Sequence, residues 1–571
     1  MKKVITIVFA LVICLGVKGQ VPQWEWARGG NNTNTISYSS RTGITVDKNN
    51  NTYCAVDFID SITVGTTILV CQYHSTYLAK YDENGNLLWV KTLAYSDASI
   101  HSYSIGIDAN ANVYVSGSYS GTYAAFGTDT LTGGGQYLVK YDSTGNVIYA
   151  VPSAAGKMAV SPNGEIFIAG NSYMFAFLAG PVTLWNYGPS TYYDGYLVKY
   201  NSLGTFDWVQ HIGGYQDDEI FGIAADEFGN CYISGFFSSY APTFGGAYLI
   251  NNGSSFNSGN MFVAKFNSAG SCLWARKAGD KYSFVSSNSV CTNSNNKIIV
   301  GGNYANQGIT GHDTSNVIFD TDTLICTHQS STLISNSFIA QYDTAGNFEW
   351  VKNSSLTSTL PRTVASDGDG NIYLRGGRMI NNDSLHDITF ETTTVVPINT
   401  TTNDNMYLFK FNSSGSVTWA ESLVGGGWSV SPNCVVVNNC NVFISGDFSY
   451  SPFGIGTNTL INNGGNASFI AKLQNGAPCS LSSPEIPNQQ SIEIYPNPAT
   501  TQLTIQSRTY GNNSTIETIH IYNVLGEMVQ SSDIGHQTSD VTLDVSGLNN
   551  GIYFIEVKGE KGVVRKKFVK D

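Results

Sequence analysis

The sequence predicts an all-β protein: a seven-bladed β-propeller closed by its own N-terminal strand, followed by a small C-terminal β-sandwich. Three observations lead there. Only 12 % of the 571 residues are charged, and the chain holds 59 Gly, 33 Tyr and 28 Phe. Globular chains carry about 25 % charge, and few charges with many Gly, Asn, Thr and aromatics favour strands and tight turns. A four-strand phrase recurs seven times at a period of about 65 residues. Four strands per unit is propeller-blade content, whereas a sandwich domain needs about seven strands and ~100 residues. Finally, the last copy of the phrase lacks its fourth strand, and a lone copy of that strand stands near the N-terminus.

Residues 1–19 read as a secretory signal peptide. Lys2 and Lys3 form a basic head, Val4 to Leu15 is apolar but short for a membrane span, and Gly19 suits cleavage before Gln20. Cys14 follows Ile13, where a lipoprotein signal wants a small residue. No later stretch reaches the ~18 apolar residues of a membrane helix. Losing Lys2, Lys3 and Lys18 takes the net charge from −13 to −16. Such acidity argues against a nucleic-acid partner, whose phosphates call for clustered Lys and Arg.

The propeller is expected over 20–478. Each unit supplies strands A to D in chain order. An apolar strand A ends in a turn, as in Asp47 to Tyr53, Asp108 to Gly117 or Asp226 to Gly235, and strand B follows with the pattern Asn-x-Tyr-x-x-Gly. After a variable B–C segment comes an aromatic strand C such as Tyr137-Leu-Val-Lys-Tyr141, whose alternation is the period-2 signature of a strand. A Gly turn leads to strand D, centred in the first six copies on Trp89, Tyr149, Trp208, Trp274, Trp350 and Trp419. The seventh copy stops after strand C. Trp24-Glu-Trp-Ala-Arg28 matches Leu273-Trp-Ala-Arg276, which puts Trp26 at the place of Trp274 and makes it the closing residue. Closure would remove an exposed sheet edge.

Residues 479–490 read as a linker rich in Ser, Pro, Asn and Gln. The texture then changes. Short alternating strands such as Leu503-Thr-Ile505, Ile519-His-Ile-Tyr522 and Ile552 to Val557 are split by Gly/Asn turns. Four phrases appear in order: Tyr495-Pro496-Asn497-Pro498-Ala499, Tyr522-Asn-Val-Leu-Gly526, Leu548-x-x-Gly551-x-Tyr553, and a basic end with Lys566 and Lys567. On these phrases, 491–571 resembles the C-terminal sorting domain of the type IX secretion system of Bacteroidetes. The resemblance implies export across the outer membrane, with the secretion machinery as partner and the cell surface or medium as destination. The repeats are also similar to secreted bacterial β-propeller repeats, a scaffold class that implies no particular activity.

No standard catalytic string is present, and the eight histidines are scattered singly. Asp367-Gly-Asp369-Gly-Asn371 has the oxygen spacing that opens a calcium loop, but the twelfth position is Arg378. The same residues suit a hairpin turn, so calcium stays open while no other cofactor is expected. Recurrent aromatics should hold blades together, and a binding site should break the repeat. Two places do. Asp217, Asp218 and Glu219 lie between copies three and four, with His101 read as the equivalent place one blade earlier. Trp185, Tyr192 and Tyr193 lie with Tyr187 in the irregular B–C segment of copy three and suit sugar stacking. Cysteines 54 with 71, 231 with 272 and 291 with 326 are the simplest disulfide pairs, leaving 434, 440 and 479 to compete. The expectation is an exported, non-enzymatic module that binds a glycan or a surface protein. The alternatives are a secreted polysaccharide hydrolase or lyase with its site in the propeller funnel, and a purely structural surface component.

Overall fold

The structure is a computed structural model that describes residues 23–32, 39–189, 191–251, 259–280, 282–306, 314–327, 335–355, 359–378, 388–395, 406–423, 432–438, 441–448, 451–462, 466–474, 491–508, 516–523, 528–537, 540–559 and 562–571. The expected signal peptide, the linker residues 480–490, and Cys440, Cys479 and Gly526 lie outside them, as does the side chain of Cys434. The described residues are strands and turns, without a helix among them. The chain divides into two compact units, Met1–Cys479 and Ser480–Asp571.

Among the described residues, the first unit is built on seven antiparallel sheets of one A-B-C-D pattern, with shorter hairpins beside them. The first is Ser39–Val46, Thr52–Phe58, Ser75–Tyr81 and Leu87–Thr92, hydrogen-bonded in chain order. The same A-B-C-D order repeats in sheets that start at Ile100, Lys157, Asp218, Ser283 and Thr359. The seventh contains Pro432–Asn438, Asn441–Phe448 and Ala467–Gln474, and its fourth strand is Gln23–Gly29. Trp24 pairs with Leu473 and Gly29 with Phe469. Strand C is buried on both faces in several sheets, as over Asp194–Tyr200 and Asn336–Tyr342. Those strands have protein on either side, which is why they read as nearly continuous apolar runs.

Sheets stack through their A strands. Ser39–Val46 packs on Ile100–Ile107, each following A strand packs on the next, and Pro432–Asn438 packs back on Ser39–Val46. The D strands repeat a second contact. Trp26 lies under the C–D turn of the first sheet, where a Cβ on Gly85 would stand 2.6 Å from its ring. Gly85 has φ of +76°, so both its freedom and its lack of a side chain are used. The same approach joins Trp89 to Gly145, Tyr149 to Gly204, Trp208 to Gly270, Trp274 to Gly346 and Trp350 to Gly415. The bond beside it repeats too. Arg28 Nε donates to Gly85 O at 2.7 Å, and Arg276 Nε donates to Gly346 O at 2.8 Å.

The A–B turns explain their own composition. Asp47 Oδ1 accepts from the amides of Asn49 and Asn51, and Oδ2 accepts from Asn51 Nδ2 and Tyr53 OH. Asp108 and Asp226 repeat the set. A strand C lysine lies over the tyrosine ring, with Lys140 Nζ 4.9 Å from the Tyr114 centroid. Asp367 also follows this pattern, accepting from Asp369 N, Asn371 N, Asn371 Nδ2 and Tyr373 OH at 2.8–3.1 Å.

Two expectations need correction. The B–C segments are not irregular: each sheet carries a short hairpin there. Examples are Tyr123–Phe126 with Asp129–Thr132, Thr314–Phe319 with Asp322–Thr327, and Phe453–Ile455 with Asn458–Leu460. Their inward aromatics pack on strand C, with Phe126 to Tyr137 at 4.8 Å, Phe319 to Phe338 at 5.1 Å and Phe453 to Phe469 at 5.1 Å. The three suggested disulfides are also absent, for Cys54, Cys71, Cys231, Cys272, Cys291 and Cys326 are free thiols. Cys231 and Cys272 both pair with Phe266, one from each side. Two strand spacings of ~4.8 Å exceed the reach of a disulfide. Cys291 and Cys326 sit in different apolar clusters. Cys54 is buried, while the Cys71 thiol faces Phe58 O at 3.8 Å.

The second unit has a three-stranded sheet, Ser491–Tyr495, Gln502–Arg508 and Val541–Asp544, and a four-stranded sheet, Met528–Gln537, Ile516–Tyr522, Gly551–Gly559 and Gly562–Lys570. Leu503 and Ile505 of the first share one core with Ile519, Ile521, Ile555 and Phe568 of the second.

Candidate functional site

An antiparallel A-B-C-D meander sends its A–B and C–D turns to one end and its B–C and D–A connections to the other. The first end is occupied by the self-bonded Asp and Asn turns. The second end is where sequence varies, and there the third sheet builds an aromatic ledge.

Its hairpin, Ala176–Ala179 with Val182–Trp185, brings Trp185 opposite Ala176. Trp185 is 58 % exposed and meets Phe175 edge to face at 5.4 Å. Tyr193 is 37 % exposed and meets Tyr173 edge to face at 5.3 Å. Tyr187, also exposed, stands edge to face on His211 at 4.8 Å. Tyr215 is exposed beside them, its carbonyl close enough to Gly188 that a Cβ there would stand 2.8 Å away. Tyr192 is half-buried, its amide donating to Pro189 O at 3.1 Å.

The acidic residues fasten this ledge. Asp217 Oδ1 accepts from Tyr193 N at 2.8 Å, and Asp218 N donates to Tyr193 O at 2.7 Å. The backbone of Tyr193 is therefore held on both sides by the loop between the third and fourth sheets. Asp217 O accepts from the amide and the hydroxyl of Ser238 at 2.8 Å. Asp218 is 1 % exposed; its Oδ1 accepts from Ser239 N at 3.2 Å, and its Oδ2 has no partner among the described residues. Burial raises its carboxyl well above the usual range, and nearby Asp194 adds to the rise. Glu219 is pushed up to about 7 by burial and then by Asp217. Asp194, itself buried, accepts from Tyr187 N at 3.3 Å and pairs with His211 Nε2 at 2.9 Å. A half-buried carboxyl near neutrality can hold or release a proton, but Asp218 is too deep to touch a ligand directly.

Thus Asp217 and Asp218 meet Tyr193, while Trp185 stands on the hairpin of the same sheet against Phe175. His101 does not join them. It opens the second sheet at the register of Glu219 in the fourth, so it stands two sheets away rather than one. His101 Nδ1 pairs with Asp57 Oδ2 at 3.2 Å. Buried Asp57 also accepts from Thr76 Oγ1, Ser102 N and Ser102 Oγ, tying the first sheet to the second. Among the described residues, no group of three or more His, Cys, Asp or Glu is placed to hold a metal ion. Sequence reasoning missed Tyr173, Phe175 and Tyr215. The run Tyr173-Met-Phe175 just after strand B was the signal for the first two.

In the second unit the opening phrase clasps the last strand. Asn497 Oδ1 accepts from Val569 N at 2.8 Å, Ala499 N donates to Val569 O at 2.8 Å, and Asp571 N donates to Ala499 O at 2.9 Å. Tyr495 is partly exposed, with its hydroxyl 3.3 Å from Asp540 Oδ2. Tyr553 stacks on Phe568 at 5.6 Å and donates to Asn549 O, two residues before Gly551. Lys566 and Lys567 are exposed.

Comparison with known proteins places these features. The chain is 23 % identical over 525 residues to an uncharacterized WD repeat-containing protein of Acanthamoeba polyphaga mimivirus, covering 81 % of this chain and 34 % of that protein. It is 29 % identical over 111 residues to the regulatory protein FlaEY of Caulobacter vibrioides, covering 18 % and 12 %. The chain thus spans well under half the length of either relative. Among solved structures, a member of the DUF4221 family from Bacteroides vulgatus aligns at 11 % identity and a TM-score of 0.28, over 67 % of this chain and 93 % of that one. The extracellular domain of a putative one-component system from B. thetaiotaomicron aligns at 11 % identity and a TM-score of 0.15, over 95 % and 99 %. The family described as the secretion system C-terminal sorting domain matches residues 493–571. The chain therefore ends in a type IX secretion-system C-terminal sorting domain, the address of a protein exported to the cell surface or beyond.

Proposed function

We propose that the sorting domain delivers a seven-bladed β-propeller, built from about 20–478, that binds a glycan through the Trp185–Tyr193 ledge. A signal peptide at 1–19 would give entry to the periplasm, and 479–490 would link the two folded parts. Support for the propeller is the repeated neighbour contact, which the seventh sheet makes with the first as the others make with theirs. One similar protein is named for WD repeats, which build four-stranded propeller blades.

The observation that carries the binding reading is the exposed ledge itself. Exposed aromatics that pair edge to face, rather than sinking into the core, offer flat apolar surface with polar groups beside it. Sugar rings present the matching C–H faces and hydroxyls. The test is a glycan array followed by calorimetry on the exported chain. Trp185→Ala and Tyr193→Ala should each weaken the best ligand about tenfold. An empty array, or affinity untouched by both changes, rejects the reading.

One observation favours a second reading. Glu219, with its acidity near neutral and Asp217 beside it, has the character of a general acid for glycosidic cleavage. Release of reducing ends from a bound polysaccharide, abolished by Glu219→Gln, would establish an enzyme. No release from the intact chain leaves the binding module.

A further inference from the structure

We propose that the seam between the first and second sheets is a second, independent carbohydrate site: a groove that takes an extended neutral polysaccharide strand. Three hollows of about 390, 190 and 370 Å³ abut there. The first two share residues 71–74, and the second and third share Thr92, Ala94 and Tyr95. Neighbouring hollows that share walls line up along the seam, which suits a chain of sugar rings better than a single one.

Its lining names the ligand. Tyr95 is 74 % and Tyr73 44 % exposed, so two ring faces are on offer along the run. Between and beyond them the walls carry an amide, an imidazole and hydroxyls, from Gln72, His74, Thr92 and Thr128. Ring faces alternating with uncharged donors and acceptors match the two surfaces of a neutral sugar chain. The two formal charges of the lining are engaged: Asp60 Oδ2 accepts from Ser61 Oγ at 3.4 Å, and Lys91 Nζ donates to Gly145 O at 2.9 Å and to Asn146 Oδ1 at 3.2 Å. An anionic polymer would find no free cation there among the lining residues.

The groove is also held in shape before a ligand arrives, which lowers the entropy cost of binding. Tyr95–Ser96 pairs with Ala124 and Ala125 of the second sheet's hairpin. Asp97 then fastens the turn, accepting from Thr122 N at 2.8 Å and Thr122 Oγ1 at 2.5 Å. On the opposite wall the His74 ring rests 5.0 Å from that of His101, which Asp57 orients. This gives His101 a role through its neighbour, as a positioning residue.

The experiment titrates the full exported chain with cello-, laminari-, xylo- and mannohexaose by calorimetry. At least one should bind, with Tyr95→Ala and Tyr73→Ala each weakening it about tenfold and Trp185→Ala leaving it unchanged. Tyr95→Phe should retain affinity, because the ring face does the work. Tyr95 is largely exposed, so its loss should leave melting unchanged. Binding by none of the four, or binding sensitive to Trp185 alone, overturns the groove; the latter outcome leaves the ledge standing. Saturable binding of reduced, carboxymethylated lactalbumin that Tyr95→Ala abolishes overturns it in favour of a peptide groove.

Discussion

Glu219 stands half-buried beside Asp217, and its raised acidity makes a stability prediction with a definite sign. Its ordinary value is 4.5 and burial lifts it to about 7. Between those values the folded chain holds a proton that the unfolded chain has released. The stability this group provides is therefore complete below about pH 4.5 and is lost as the pH climbs through 7. Glu219→Gln keeps the neutral form throughout, so it should melt with the parent at pH 4 and above it at pH 8. Equal melting temperatures at both values would refute the assignment. Trp26 gives a second test. It is 4 % exposed, donates to Glu83 O at 3.0 Å and fills the hollow over Gly85. Trp26→Ala should cost about 3–5 kcal/mol, read from chemical denaturation. The site was half legible in sequence. Asp217, Asp218, Trp185 and Tyr193 broke the repeat and so drew notice. That the two aspartates meet Tyr193, and that buried Asp218 serves the ledge through its backbone, depends on strand register, which single residues do not display.

Among elements, the A–B turns were the most legible because their chemistry is local. Asp47 satisfies partners two, four and six residues on, so the pattern can be read off the chain. Disulfide pairing failed for the opposite reason, since the distance from Cys231 to Cys272 is set by the strand lying between them. The B–C hairpins were overlooked although their signal repeats, as in Ala124-Ala-Phe126-Gly127-Thr and Phe453-Gly-Ile455-Gly456-Thr. Variable length around them hid it. Their packing makes them structural rather than decorative. Phe319 is fully buried against Phe338, and Phe319→Ala should destabilise by about 3–5 kcal/mol. A change below 1 kcal/mol in denaturant unfolding would mean that the hairpin merely rests on its sheet.

At the scale of the whole molecule, the two units carry separable tasks. Deleting 492–571 should leave the remainder folded but retained in the periplasm, as surface proteolysis and cell fractionation would reveal; display of the truncated chain would refute the sorting assignment. The seventh sheet also has a mechanical consequence. Strand Ala467–Gln474 is where the first unit hands over to the second, and it is hydrogen-bonded along both edges, to Gln23–Gly29 and to Asn441–Phe448. Tension pulled along that strand loads both ladders in shear. Their bonds must then yield together, not one at a time as in a peeled hairpin. The strand borrowed from the far end of the chain thus doubles the grip on the last described strand of the first unit.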